Sequence, residues 1–234
     1  MKKSHIAALI TFFLLIPATL FLGTKLSGRT YYITGTLIIL ELMIPFFMAF
    51  EGRKPQAREL VIIAVLSAIA IAGRVAIPIP SFKAIFGIIM LAGIAFGPES
   101  GFLVGAIGAL ASDFFYGMGP YTPWQMLAYG VAGVIAGFAF RENRLPRKRT
   151  VMGIFGFVSV VLLIGPLLDS STVFLTLPNL SFVTVWPVYL SGLPVNLSQG
   201  LCTFLILFFF GIPLLEKLDR VKLQYGMLED EDGL

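Results

Sequence analysis

Apolar runs of about 20 residues, broken by short polar or basic stretches, recur along the chain, and a helix rising about 1.5 Å per residue needs that length to cross about 30 Å of hydrocarbon. The pattern predicts spans over residues 6–23, 31–50, 59–77 and 84–96, two within 101–138, and two more over 151–168 and 193–215. Residues 169–190 read as a connector, too polar and proline-interrupted to span cleanly. The expected fold is therefore an all-α membrane protein, a polytopic bundle of eight transmembrane helices. A barrel would instead alternate with period two, and no such alternation is present.

Within 101–138 the glycines recur at three- and four-residue steps: Gly101, Gly105 and Gly108, then Gly130, Gly133 and Gly137. That spacing bares a strip on each helix and predicts close backbone approach. Asp113 lies in the first of these helices, where a carboxylate facing lipid would cost about 2.5–3.5 kcal/mol. It should face a partner or a wet cavity. Glu41, near the middle of the second span, reads as a polar contact between helices or a snorkelling side chain.

Composition supports the membrane reading, with 57% hydrophobic and 13% charged residues in 234, more apolar sequence than a soluble domain needs. Cys202 and His5 are the only residues of their types, which excludes internal disulfides, thiolate metal sites and Ser-His or Cys-His pairs within the membrane. Basic residues flank the spans. Placing the N-terminus in the cytoplasm puts Lys2, Lys3, Arg53, Lys54, Arg58, Arg141, Arg144, Arg147, Lys148, Arg149, Lys217, Arg220 and Lys222 inside, against Lys25, Arg29, Arg74 and Lys83 outside or near the outer ends. This asymmetry predicts both termini cytoplasmic and, with a net charge of only +4, no nucleic-acid partner.

That orientation gathers the misplaced polar and aromatic groups at the outer face. Arg74 and Lys83 flank one connection, and Asp113, Tyr116, Tyr121, Thr122, Trp124 and Gln125 surround the next. Trp186 and Tyr189 lie in the 169–190 connector, with Thr172 and Asn179, while Asn196 and Gln199 open the last span. Amides and aromatic faces from separate segments suit an outward-open small-molecule pocket. For each single aromatic, an interfacial belt explains its position equally well. Ala64, Ala68 and Ala72 form a small-xxx-small row that permits helix docking.

Several motifs resemble the substrate-binding S component of an energy-coupling factor (ECF) vitamin importer. They are the alanine row followed by Gly73-Arg74, FGPESGFLVGAIGALASDF over residues 96–114, GMGPYTPWQM over 117–126, GLPVNL over 192–197 and LDRVKLQYG over 218–226. Within that family the cobalamin-type S components are most similar. The resemblance implies a six-helix substrate-binding core over residues 58–226, preceded by two additional helices in 1–57 and followed by an acidic tail over 227–234. It further implies capture of a vitamin, cobalamin or a related corrinoid, at the outer face of a bacterial cytoplasmic membrane. The alanine row would dock on a membrane scaffold subunit (EcfT-like), with two ATPase subunits (EcfA-like) hydrolysing ATP with Mg. The chain itself has no G-x-x-x-x-G-K-[ST] loop, needs no cofactor of its own and is expected to be non-catalytic.

Other readings compete. The ligand of such a subunit could be another vitamin or a nucleobase precursor. An intramembrane aspartyl hydrolase could use Asp113 and Asp169, although neither sits in a G-x-G-D context. A Ser81 and Lys83 dyad is conceivable, but Lys83 more readily snorkels. A structural subunit without a ligand is the third class.

Overall fold

The computed structural model describes residues 3–25, 31–52, 55–77, 79–177 and 180–224. Eight helical rods make up these residues. The first, α1, covers residues 3–25 and includes a π-helical turn at Thr11–Leu15. Next come α2 (Tyr31–Gly52), α3 (Ala57–Val75), α4 (Ile85–Phe96), α5 (Pro98–Tyr116) and α6 (Thr122–Phe140). The last two are α7, residues 149–176 with a π-turn at Val160–Ile164, and α8 (Phe182–Gln224). Pro17 and Pro166 each follow a π-turn by two residues. Proline lacks the amide hydrogen an α-helical bond needs, and the wider turn absorbs the mismatch.

Of the eight expected crossings, four described helices are individually long and apolar enough: residues 33–52, 122–143, 149–176 and 182–224. Three of the others fall short for identifiable reasons. Twelve residues give α4 only about 18 Å of rise. It is apolar all round, and almost every residue from Ile85 to Ala95 is buried among neighbours, as expected for a helix with no solvent or lipid face. By contrast α3 carries Arg58, Glu59 and Arg74, and α5 carries Glu99 and Asp113; protein contacts stand where lipid otherwise would.

The end of the chain departs furthest from the expected pattern. Residues 169–176 complete α7 and residues 182–190 begin α8, so most of the supposed connector is helical and the last rod starts at Phe182 rather than at 193. Pro187, Pro194 and Pro213 all lie inside α8. Freed carbonyls at such prolines are tolerated where neighbouring helices or side chains satisfy them. Asn179, Pro78, Lys2, Arg29, Arg53, Lys54 and the 227–234 tail lie outside the described residues.

The glycine strips form the α5–α6 contact. A Cβ at Gly101 would strike the Gly133 backbone, one at Gly105 the Tyr129 carbonyl, and one at Gly137 the Pro98 backbone, while Gly93 of α4 meets Gly133 equally closely. Gly108 is the exception, facing Ala70 and Ile85 at 3.8 and 3.9 Å. Around α4 the rods α3, α5, α6 and α8 close the core, while α7 packs along α8. Of the two N-terminal rods, α2 lies against α5, α6 and α7, with Phe46 stacked on Phe102 at 4.5 Å. The other, α1, packs on α2, where Thr19 donates a hydrogen bond to Glu41. Glu41 is thus a helix-packing contact.

Candidate functional site

Three rods converge at one end of the bundle. Arg74 occupies the last turn of α3, Ser112, Asp113 and Tyr116 the last turns of α5, and Thr122, Gln125 and Tyr129 the first turns of α6. Short connections make successive rods antiparallel, so these segments must share an end. Thr122, Trp124 and Gln125, expected in a turn, belong to α6 itself.

Arg74 is the hub. Its guanidinium pairs with the Asp113 carboxylate at 3.0 Å, the acid fully buried and the arginine side chain 12% exposed. It also donates to Gln125 Oε1 at 3.1 Å and to the Ser112 hydroxyl. The Tyr116 ring lies 4.8 Å from the guanidinium carbon and the Tyr129 ring 5.4 Å, both within cation–π range. Asp113 accepts a second hydrogen bond from Thr122 at 2.8 Å, and the Tyr116 hydroxyl donates to the Arg74 carbonyl at 3.0 Å. A buried ion pair is tolerated when its remaining donors and lone pairs are met in this way. Ser112 and Tyr129 are members that sequence reasoning missed. Each had a weak signal: Ser112 adjoins Asp113, and Tyr129 lies one helical turn beyond Gln125.

A second polar group joins α7 to α8. Asn196 donates to Asp169 at 2.8 Å, and the Ser170 and Tyr189 hydroxyls share a bond at 2.9 Å. The fit is tight, because a Cβ at Gly165 would overlap the Asn196 carboxamide and one at Gly192 the Asp169 carboxylate. Asp113 and Asp169 each have their own partners and share no hydrogen bond. Lys83 Nζ donates to the Ile77 carbonyl at 2.5 Å, with no bond to Ser81.

The remaining candidates separate. Tyr121 donates to the Gly117 carbonyl, folding back on its own turn. Trp124 is buried with its ring 5.3 Å from Phe174 and its Nε1 without a partner, and it abuts Gly35 of α2. Trp186 is half exposed and stacks only on Phe182, the placement of a belt residue. Gln199 Oε1 is buried without a partner. Ala64, Ala68 and Ala72 are exposed on one face of α3, opposite buried Ile63, Leu66, Ser67 and Ala70.

Residues 54–220 match the family model for the ECF-type riboflavin transporter, S component. The chain belongs to this family. The ECF S-component match takes in α3 to α7, most of α8 and both polar groups, and leaves α1 and α2 outside. Among curated proteins, a UPF0397 protein of Vibrio atlanticus strain LGP32 is 32% identical over 47% of this chain and 64% of its own length. One from Aliivibrio salmonicida is 34% identical over 46% of this chain and 62% of its own length. The chain thus spans just under two thirds of these relatives. A Clostridium perfringens UPF0397 protein is 25% identical over 66% of this chain and 82% of its own length. No solved structure matches the chain. Membership of a transporter S-component family agrees with the four described helices that are long and apolar enough to cross a membrane.

Proposed function

We propose that this chain captures a vitamin at the outer face of a bacterial cytoplasmic membrane and hands it to an energy-coupling module, with cobalamin or a related corrinoid as the leading ligand. Membership of the S-component family over residues 54–220 carries the reading. The partners would be a membrane scaffold subunit and two ATPases supplying energy from ATP and Mg, with both termini of this chain cytoplasmic.

Two features support the division of labour. The polar side chains of α3, α5, α6, α7 and α8 concentrate toward one end of the bundle, where a ligand rich in amides would find complementary groups. On α3 the alanine row, exposed among the described residues, offers a close-packing helix face. In this reading Arg74 and Asp113 shape the pocket wall, while Gln199, Lys83 and Tyr189 are better placed to meet ligand.

Riboflavin is the second reading, favoured by the printed description of the matching family. Mass spectrometry of the small molecule that copurifies, followed by titration of ligand-free protein with cobalamin and riboflavin, tests both. Stoichiometric binding of neither vitamin, and of no copurifying molecule, would end the proposal.

A further inference from the structure

Two polar groups near α8 are left without the partners their chemistry calls for. Lys83 carries a full positive charge, yet among the described residues no carboxylate lies within ion-pair distance, and its recorded hydrogen bond goes to the Ile77 carbonyl. Gln199 Oε1 is buried and accepts no hydrogen bond. An ammonium has three donors and a carboxamide oxygen two acceptor sites, and leaving such groups unmet in a low-dielectric setting is costly.

The two belong to one region. Lys83 stands just before α4, which packs along α8 at the level of the buried Cys202. Four residues farther along, Gly87 of α4 touches Ile206 of α8, and both rods run in the same direction. Gln199 lies three residues before Cys202, on the same stripe and one turn nearer the polar end. The stripe continues to Asn196, which engages Asp169. Of the charges nearby, Arg74 is occupied by Asp113, and Asp169 is held toward α7 by Asn196. That leaves Lys83, among the described side chains next to α8 at this end, as the cation open to a ligand.

We propose that Lys83 and Gln199 form one recognition site in two halves, the ammonium receiving a phosphodiester and the carboxamide oxygen an N–H donor of the same ligand. This inference rests on the vitamin-capture reading and sharpens it. Riboflavin carries no anionic group at neutral pH. A corrinoid with its nucleotide loop carries both a phosphodiester and peripheral carboxamides.

The test is equilibrium binding of cobalamin, of cobinamide, which lacks the phosphodiester, and of riboflavin to the full chain in detergent. Lys83→Gln should weaken cobalamin about 10- to 100-fold, the range for losing a charge-assisted hydrogen bond, while cobinamide stays within about twofold. Lys83→Arg should restore most of the loss, and Gln199→Leu should weaken both corrinoids alike. Retained cobinamide binding shows that the Lys83 variants are folded, and a parental melting temperature in detergent shows it for Gln199→Leu. Equal effects of Lys83→Gln on the two corrinoids, or none, overturn the inference. Riboflavin binding that ignores Lys83, without corrinoid binding, overturns it while sparing the transporter reading; binding of none of the three overturns it too, and overturns both when no small molecule copurifies.

Discussion

The Arg74 guanidinium meets the Asp113 carboxylate at 3.0 Å with the acid fully buried, so a residue at the end of α3 fastens α5 at the point where α6 turns back. Removing one partner strands a charge, whereas removing both does not. Arg74→Met and Asp113→Leu are each expected to cost about 3–5 kcal/mol and to lower the melting temperature in detergent sharply. The double variant should recover most of that loss. Additive losses in this cycle would show that the two charges do not act as a pair.

Close backbone approach gives a second expectation. Gly133→Ala puts a methyl group into the Gly101 carbonyl, and neither backbone can withdraw without separating α5 from α6. Little folded protein should be recovered. Gly108→Ala, whose new methyl meets Ala70 and Ile85 at ordinary contact distance, should be tolerated, with a melting temperature near that of the parent.

Trp124 allows a sharp choice between packing and ligand contact. Its ring stacks on Phe174, and its unpartnered Nε1 hydrogen contributes nothing within the chain. Trp124→Phe keeps the stack and removes a buried unmet donor, so stability should hold or rise. Ligand affinity should stay within about twofold, since an aromatic face is retained. A large affinity loss with an unchanged melting temperature would assign the indole to the ligand.

Ala68→Leu and Ala68→Trp enlarge an exposed position of α3 away from both polar groups. Both variants should fold and bind ligand as the parent does, yet abolish uptake when coexpressed with an energy-coupling module. Impaired binding would show that the alanine face serves the pocket.

The parts of the fold set by local chemistry were legible in the sequence. Glycine spacing foretold the α5–α6 contact, and the cost of a lipid-facing carboxylate foretold a partner for Asp113. Which partner was not legible. Arg74 and Asp113 stand 39 positions apart, and no local pattern supplies the rotation of one helix against another that brings them together. The 169–190 segment was misread for a different reason. Its prolines and polar residues argue against a span when taken alone, but Asp169, Ser170, Tyr189 and Asn196 satisfy one another across α7 and α8, which offsets the polarity that counted against helix. Trp186, placed at the outer face by the charge asymmetry, is half exposed and stacks on Phe182, as the belt reading expects.

The unbroken run of α8 from Phe182 to Gln224 bears on how the molecule sits in its membrane. Forty-three helical residues extend about 65 Å, roughly twice the hydrocarbon thickness. Leaning at the tilts common among membrane helices, about 20° on average, shortens the projection by only a few ångströms. Unless the bends at Pro187, Pro194 and Pro213 lay part of it along the surface, a large part of this helix overhangs into water or headgroups, like a mast taller than the deck it passes through.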